Sequence, residues 1–283
     1  MGGTGSAVPG APWHARPVST ADRPHSPARS SARSPKDTFI TVYGRKPVLE
    51  ALDNAELRVD KVVLAEGSRG EPVRAIIAAA RDRDVPVQWA SAHRVKVLAG
   101  NGHHDQGVLA DVVAPRMQPV DDFLLDLGNA PASVLVLDGV TNPSNVGMVV
   151  RSATAAGLDG VLLPRRGVPA IDPLVIKASA GVAFRAPVLR ASTAEEGCAR
   201  LRGAGFAVFG LDAGGGSLLD ADLPRRVALV LGNETDGLSP AVRAECDGTL
   251  AIPMQGGVES LNVASAAAIA AFELFRRRSR TIG

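Results

Sequence analysis

The sequence predicts an α/β protein with two domains that follow a polar N-terminal tail. Apolar segments of strand length alternate with segments of helical periodicity from Phe39 onward. Two of the apolar segments, "SVLVLDGV" and "VALVLG", are almost continuously apolar, which indicates a parallel sheet covered on both faces. The chain has 283 residues, enough for one or two domains with a sizeable core.

Residues 1–37 differ in composition from the rest of the chain. They are rich in Pro, Ser, Gly and Arg, and they lack the continuous apolar run of a secretory signal. Because they carry too little apolar surface to offset chain entropy, this tail is expected to be disordered. Its arginines either contact RNA or belong to a solvated tail with no fixed role.

Residues 38–114 are predicted to form a small α/β domain. "FITVYGRKPVLEALDN" indicates a strand, a turn at Gly44 and a helix with Pro47 in its first turn. Strands and helices then alternate as far as "QGVLADVVA". The turn "NGHHDQG" offers adjacent residues that cannot easily converge on one ion, so no metal is expected. Residues 115–132 are predicted to be a linker with a short helix.

Residues 133–283 are predicted to form a second α/β domain. Strands are expected to begin at six positions: Ser133, Gly160, Ala186, Ala207, Val227 and Thr249. Helices are expected at 146–156, 173–180, 193–202 and 240–245, with a last one from Asn262. "GLDAGGGS" at 210–217 is expected to be a loop after a strand, but it lacks the Gly-Lys-Ser/Thr ending of a Walker loop. The remaining alternative is that these glycines line a pocket for an adenosine-bearing cofactor that is neither a dinucleotide nor a nucleoside triphosphate.

Charge and cysteine content exclude several classes of protein. The net charge of +2 gives no strong overall field, so any basic surface for nucleic acid must be local. The two cysteines are too few for a disulfide framework and are expected to be buried thiols of a reducing compartment. No apolar run approaches the length of a membrane span.

Three polar stretches follow strands of the second domain. They are "NPSNVGMVVRSA", "GNETDGLS" and "IPMQGGVESLNVASAAAIA". Open α/β sheets bind ligands beyond the carboxyl ends of their strands, so these stretches are expected to share one site. An alanine-rich helix that only packs needs no polar entrance, yet the last stretch places Glu259, Ser260 and Asn262 there.

Together these stretches closely resemble the motifs of the SpoU/TrmH family of RNA ribose 2′-O-methyltransferases, which belongs to the SPOUT superfamily. The resemblance covers about residues 133–278, and residues 40–114 resemble the L30e-like RNA-binding domain of family members that act on ribosomal RNA. It implies a SPOUT domain with a deep trefoil knot, S-adenosyl-L-methionine as cofactor, a homodimer with the site near the subunit interface, and a cytoplasmic location.

The resemblance also implies the site residues. Five positions match the family's catalytic positions: Asn145, Arg151, Glu234, Ser260 and Asn262. Nine residues are expected at the cofactor: Leu211, Asp212, Ala213, Leu231, Gly232, Asn233, Ile252, Met254 and Leu261. No role is assigned to Glu259.

The chemistry of ribose methylation suits these residue types. A 2′-hydroxyl is barely acidic at neutral pH, so the site must orient it and manage its proton. Arg151 is expected in the helix facing the end of the strand, where it acts either as the base or as a cation that steadies the developing alkoxide. Ser260 and Asn262 are expected both to cap the last helix and to line the site.

RNA binding is expected to depend on phosphate contacts, because aromatic residues are few. Five basic residues are candidates: Arg45, Lys46, Arg116, Arg165 and Arg166. The cluster Arg276–Arg278 either contacts RNA or ends a helix favourably.

The sequence therefore predicts methylation of a ribose in ribosomal RNA, most specifically 23S rRNA, with a resistance role against an antibiotic as a further expectation. A tRNA ribose methyltransferase and a non-catalytic assembly factor are the alternatives.

Overall fold

The computed structural model describes residues 37–100 and 105–281, without the side chains of 280 and 281. The predicted disorder of the tail and the turn around His103 and His104 lie almost wholly outside these residues. None of the helices within them is long and apolar enough to cross a membrane.

The first domain is a four-stranded mixed sheet with helices on both faces. Its elements are β1 (Phe39–Tyr43), α1 (Arg45–Asp53), β2 (Val59–Ala65), α2 (Glu71–Asp82), β3 (Val87–Ala90), α3 (Ala92–Ala99) and β4 (Val108–Val113). The strand order is β1-β4-β2-β3, in which only β2 and β3 are parallel. The predicted small α/β domain is therefore present.

The second domain is a seven-stranded parallel sheet. Its elements are β5 (Gln118–Pro119), α4 (Val120–Leu127), β6 (Ala132–Leu137), α5 (Pro143–Ala155), β7 (Gly160–Leu162), α6 (Pro173–Ala178), β8 (Val188–Arg190), α7 (Ala194–Gly203), β9 (Ala207–Ser217), β10 (Arg226–Leu231), α8 (Pro240–Glu245), β11 (Gly248–Ala251) and α9 (Val263–Thr281). The strand order is β11-β9-β10-β6-β7-β8-β5. All its pairings are parallel, as the apolar strands predicted.

Both faces of this sheet are covered by helices. On one face α5, α6 and α9 pack on apolar residues that include Leu135 and Leu229. On the other face α4, α7 and α8 enclose Val134, Val136 and Ala228. The predicted α/β class is confirmed, and the trefoil knot stays a prediction.

The segment 115–132 is not a separate linker. It contains the expected short helix, but β5 adds to the edge strand β8, and Val120 and Phe123 of α4 enter the core under α7. Apolar side chains at the buried positions of α4 explain this, because they can be covered only by the second domain.

The glycine-rich segment 210–217 is strand and not loop. Strand β9 continues to Ser217 and pairs with β11 across a register shift between Thr249 and Leu250. A Cβ on Gly215 would lie 2.6 Å from the backbone of Thr249, so only glycine permits this close approach.

Both cysteines are reduced. Cys198 is buried, and burial raises the pKa of its thiol to about 12. Burial likewise raises the pKa of the partly buried Cys246 to about 11. Neither side chain has the low pKa of a reactive thiolate.

Candidate active site

A cavity of about 300 Å³ opens at the carboxyl ends of β10 and β11, beside the middle of β9. All nine residues predicted for the cofactor line it. Leu211 lies in the middle of β9, beside Leu231 at the end of β10, while Ile252, Met254 and Leu261 come from the segment between β11 and α9. The third motif thus reaches the site because a long connection, 252–262, folds over the strand ends.

Three of the predicted catalytic side chains form a hydrogen-bonded chain that joins the three motifs. Asn145, in the first turn of α5, is 6% exposed. Its Nδ2 donates to Glu234 Oε1, and its Oδ1 accepts from Asn262 Nδ2 at 3.2 Å. Because one amide satisfies both neighbours, Asn145 fixes the loop after β10 and the start of α9 relative to each other.

Asn262 caps α9, and Ser260 does not. The side-chain Oδ1 of Asn262 accepts from Ala264 N at 2.9 Å. Ser260 lies two residues earlier, where it lines the cavity. The prediction that both residues combine capping with lining is therefore wrong for both, since each does one of the two.

Arg151 does not face the cavity of its own subunit. It lies six residues after Asn145, which corresponds to about 240° around a helix, so the two side chains cannot share a face. Arg151 is exposed on the outer side of α5, beside Met148. The expectation that Arg151 faces the strand end is therefore wrong within a single subunit.

The lining of the cavity is acidic. Asp212, Glu234 and Glu259 contribute carboxylates, and no lysine or arginine lines the cavity among the described residues. The Asp212 carboxylate is paired with Arg243 at 2.6 Å, and this hydrogen bond, followed by one from Gly214 N, holds the pKa of Asp212 below its usual range. Apolar walls with an acidic rim suit a ligand that combines a planar ring with positive charge.

Two turns give the cavity its shape. Asn233 and Gly237 exchange backbone hydrogen bonds of 2.9 Å each, closing a tight loop after β10. A Cβ on Gly232 would lie 2.3 Å from the carbonyl carbon of Gly237, so this loop closes only over glycine. Asn233 Nδ2 also donates to Gly139 O at 2.7 Å, which anchors the loop to the end of β6.

Five lining residues lie outside the predicted set: Thr235, Gly237, Glu259, Val263 and Ala266. Thr235 and Gly237 stand inside the quoted motif "GNETDGLS", so the motif as a whole pointed to them. Val263 and Ala266 belong to the apolar pattern of α9, which resembles any buried helix face. No separate feature of the sequence predicts that these two residues line the cavity.

The five predicted RNA-binding residues are spread over both domains. Arg45 and Lys46 begin α1, where Arg45 N donates to Gln106 Oε1 at 3.1 Å and Lys46 lies 3.8 Å from Glu50. Arg116 is exposed between β4 and β5, and Arg165 and Arg166 follow β7. Their RNA contacts stay a prediction.

The alternative of RNA contact for Arg276–Arg278 loses support, because all three side chains have partners within the chain. Arg276 and Arg277 bond to the buried Glu273, and Arg277 also donates to Leu218 O. Arg278 donates to Asp159 Oδ2 at 2.8 Å. Arg277 and Arg278 therefore tie the end of α9 to the segments that follow β9 and precede β7.

Comparisons with known proteins identify the family of the chain. The SpoU rRNA methylase family model matches residues 132–272, and the RNA 2′-O ribose methyltransferase substrate-binding model matches residues 41–118. A relative from Mycolicibacterium gilvum, described as an uncharacterized tRNA/rRNA methyltransferase, is 35% identical over 91% of this chain and 86% of its own length.

Two solved structures extend the comparison. The SpoU methyltransferase AviRb from Streptomyces viridochromogenes, in complex with AdoMet, is 27% identical with a TM-score of 0.56, covering 86% of this chain and 91% of its own. An AdoMet-bound rRNA methyltransferase from Sinorhizobium meliloti is 26% identical with a TM-score of 0.56, covering 86% and 88%. The shared motifs, both matched domains and the common fold lead to one conclusion: the chain belongs to the SpoU/TrmH family of RNA methyltransferases.

Proposed function

We propose that this protein methylates a ribose 2′-oxygen in ribosomal RNA, with S-adenosylmethionine as the methyl donor. The hydrogen-bonded chain from Glu234 through Asn145 to Asn262 carries the proposal, because it joins the three motifs and reaches the cavity at Glu234. A scaffold protein has no need of this arrangement.

The residues of the cavity fit the proposed cofactor. S-Adenosylmethionine carries an adenine ring together with sulfonium and ammonium charges. Leu231, Ile252 and Leu261 supply apolar surface for the ring, while Glu234 and Glu259 supply negative charge. The AdoMet-bound relatives support this assignment.

The chain's own residues orient the nucleophile and steady its charge. When bound, the cofactor supplies a methyl group on a sulfonium sulfur, which keeps the bonding electron pair as the ribose 2′-oxygen takes the methyl group. The hydroxyl proton passes to water. A guanidinium stays protonated, so Arg151 stabilises the developing alkoxide rather than removing the proton.

We also propose that Arg151 acts at the cavity of a partner subunit in a homodimer. Arg151 lies on an exposed surface, here named the α5–α9 face, which comprises Met148, Arg151, Ile269, Phe272 and Phe275. Its four apolar members are 39–49% exposed. Exposed apolar surface of this kind on packed helices is typical of protein interfaces. A second copy would cover the face and bring Arg151 to a cavity.

The first domain favours ribosomal RNA over tRNA. Residues 41–118 match a substrate-binding model for RNA ribose 2′-O-methyltransferases. A relative described as an rRNA methyltransferase shares both the fold and most of its length with this chain. An RNA substrate of this kind is consistent with the expected cytoplasmic location.

A methyl-transfer assay tests the proposal. The purified protein is incubated with radiolabelled S-adenosylmethionine and, separately, 23S rRNA, 16S rRNA and total tRNA. Label at one ribose of 23S rRNA is expected, with loss of at least about 100-fold in Arg151→Ala. Arg200→Ala, on the opposite face of the sheet, serves as the control and should retain activity.

Other outcomes decide between the alternatives. Label only in tRNA would establish the tRNA enzyme instead, and no label in any RNA without cofactor binding would favour the assembly factor. The resistance role is tested by growing a sensitive bacterium that produces either the wild type or Arg151→Ala in the presence of ribosome-directed antibiotics.

A further inference from the structure

Two arginines and one buried aspartate form a charge cluster where the two domains meet, with Arg165 at the surface and Arg190 partly covered. Arg165 follows β7 and Arg190 ends β8, and these strands are neighbours in the sheet. Arg165 N donates to Ala191 O at 2.9 Å, which holds the two strand ends side by side. The carboxylate of Asp37, the first residue that the structure describes, pairs with the Arg165 guanidinium.

This cluster has more positive than negative charge. Asp37 is 5% exposed and is shared between two guanidinium groups, although only Arg165 bonds to it directly. Arg190 Nε and Nη1 are buried and have no hydrogen-bond partner among the described residues. Burial, and next the charge of Arg165, lowers the pKa of Arg190 to about 10. Unpaired buried donors of a cation are costly, so the cluster is incomplete without a further anion.

The cluster lies along the same sheet edge as the cofactor cavity. The strand order β10-β6-β7-β8 places the end of β7 two strands from the cavity wall at Leu231, or roughly 10 Å. A Cβ on Gly167 would lie 3.9 Å from the backbone of Gly139, and Gly139 O accepts from Asn233 of the cavity. The arginine loop therefore packs against the turn that supports the cavity.

We propose that Arg165 and Arg190 bind a backbone phosphate of the substrate RNA next to the target ribose, and that Asp37 occupies this phosphate site in the RNA-free protein. The proposal rests on the proposed function in one respect, namely that RNA is the substrate. Guanidinium pairs are the preferred partners of phosphate oxygens. Nε and Nη1 of Arg190 are covered in the RNA-free protein and gain an acceptor when a phosphate takes the place of Asp37. Asp37 thereby opposes binding of any RNA that does not displace it.

Charge removal at Asp37 tests this site. Affinity for a short fluorescein-labelled single-stranded RNA is measured by anisotropy without cofactor, for the wild type, Asp37→Asn, Arg190→Met and the double variant. Asp37→Asn is expected to bind the RNA about tenfold more tightly, because an internal competitor is lost. Arg190→Met is expected to bind more weakly, and in the double variant the gain from Asp37→Asn should disappear.

Controls for folding, net charge and free phosphate accompany the RNA-binding measurement. The melting temperature of each variant shows whether it folds, and Asp60→Asn, an exposed first-domain change, controls for net charge. Inorganic phosphate alone is the second probe. If phosphate stabilises Asp37→Asn against heat but RNA affinity does not rise, the site is one for free phosphate and the RNA assignment is overturned.

The remaining outcomes are equally decisive. Unchanged or weaker RNA binding by a folded Asp37→Asn would overturn the proposal, and so would an equal gain in Asp60→Asn. These binding results do not depend on methyl transfer. Tighter RNA binding without methyl transfer would therefore contradict the proposed function and leave the phosphate site standing.

Discussion

At the scale of single residues, Asn145 links the loop after β10 to the start of α9. Its amide is the only group among the described residues that bonds to both Glu234 and Asn262. We expect Asn145→Ala to lower kcat/KM about 10- to 100-fold, because both neighbours lose their fixed position at the cavity mouth. Methyl transfer to the RNA found in the first assay measures this.

The matched control for Asn145 is a cap on the same helix. Asn142→Ser keeps a side-chain oxygen for the cap that now bonds Ser144 N at 2.9 Å, and it should leave kcat/KM within about twofold. Equal losses of kcat/KM in both variants would mean that disturbing the start of α5 lowers the activity, and not the loss of the bridge through Asn145.

The sequence predicts which residues form the site more accurately than it predicts where their side chains point. All nine residues expected at the cofactor line one cavity, because motifs at parallel strand ends must converge at one edge. Their role in binding the cofactor stays a proposal. The sequence does not place Arg151 correctly, because six residues along a helix correspond to about 240° around it and turn Arg151 away from Asn145.

At the scale of elements, the contact between α5 and α6 depends on the absence of a side chain. A Cβ on Gly147 would lie 2.6 Å from Val175 O and from Ala178 Cβ. Gly147→Ala is therefore expected to reduce the free energy of unfolding by about 1–3 kcal/mol, because the two helices must separate. Urea unfolding followed by circular dichroism measures it.

Gly203, at the end of α7, is the matched control. A Cβ there meets nothing within 4 Å, and the residue has ordinary helical geometry. Gly203→Ala should be neutral or stabilise by about 0.4–1 kcal/mol through the unfolded chain. A similar loss in both variants would contradict close helix packing as the cause.

The end of α9 is expected to depend on pH through Glu273. Hydrogen bonds from Arg276, and after them those from Arg277, lower the pKa of this 7% exposed carboxyl group. A lowered pKa in the folded state contributes stability above the unfolded pKa of about 4.3, which is lost as pH falls through the folded value. Glu273→Gln should thus cost about 1–3 kcal/mol at neutral pH.

The pH dependence of the stability of Glu273→Gln distinguishes the lost charge of the carboxylate from a change in side-chain shape. The difference in the free energy of unfolding between wild type and Glu273→Gln should shrink as pH falls from about 5 to about 3. A difference that stays constant over this range would show that the ion pairs do not cause it.

Hydrophobic periodicity fails to predict two of the strand segments. The sequence predicts a linker at 118–119 and a loop at 210–217, because a two-residue strand and a run of glycines show no alternation of apolar and polar residues. Both segments become strand through tertiary pairing, with β8 and β11 respectively. Local pattern carries no information about such partners.

At the scale of the whole molecule, neither the predicted knot nor the proposed dimer follows from hydrophobic periodicity, since each depends on contacts between distant parts of the chain or between chains. The dimer is nevertheless testable from the α5–α9 face. Phe272→Glu is expected to produce monomers in sedimentation and to lower methyl transfer at least about tenfold, because a charge is placed in the apolar contact. Trp89→Glu, equally exposed in the first domain, should stay dimeric and active.

Mixed dimers test whether Arg151 serves the partner's cavity. Asn145→Ala disables the cavity of its own subunit, and Arg151→Ala leaves that cavity intact. In a mixed dimer, the intact cavity of the Arg151→Ala subunit meets the intact Arg151 of the Asn145→Ala subunit. Random exchange of the two impaired variants should therefore raise the activity to about a quarter of the wild-type value, above that of either variant alone. No recovery, with dimer exchange shown by mass spectrometry, would place Arg151 at the cavity of its own subunit.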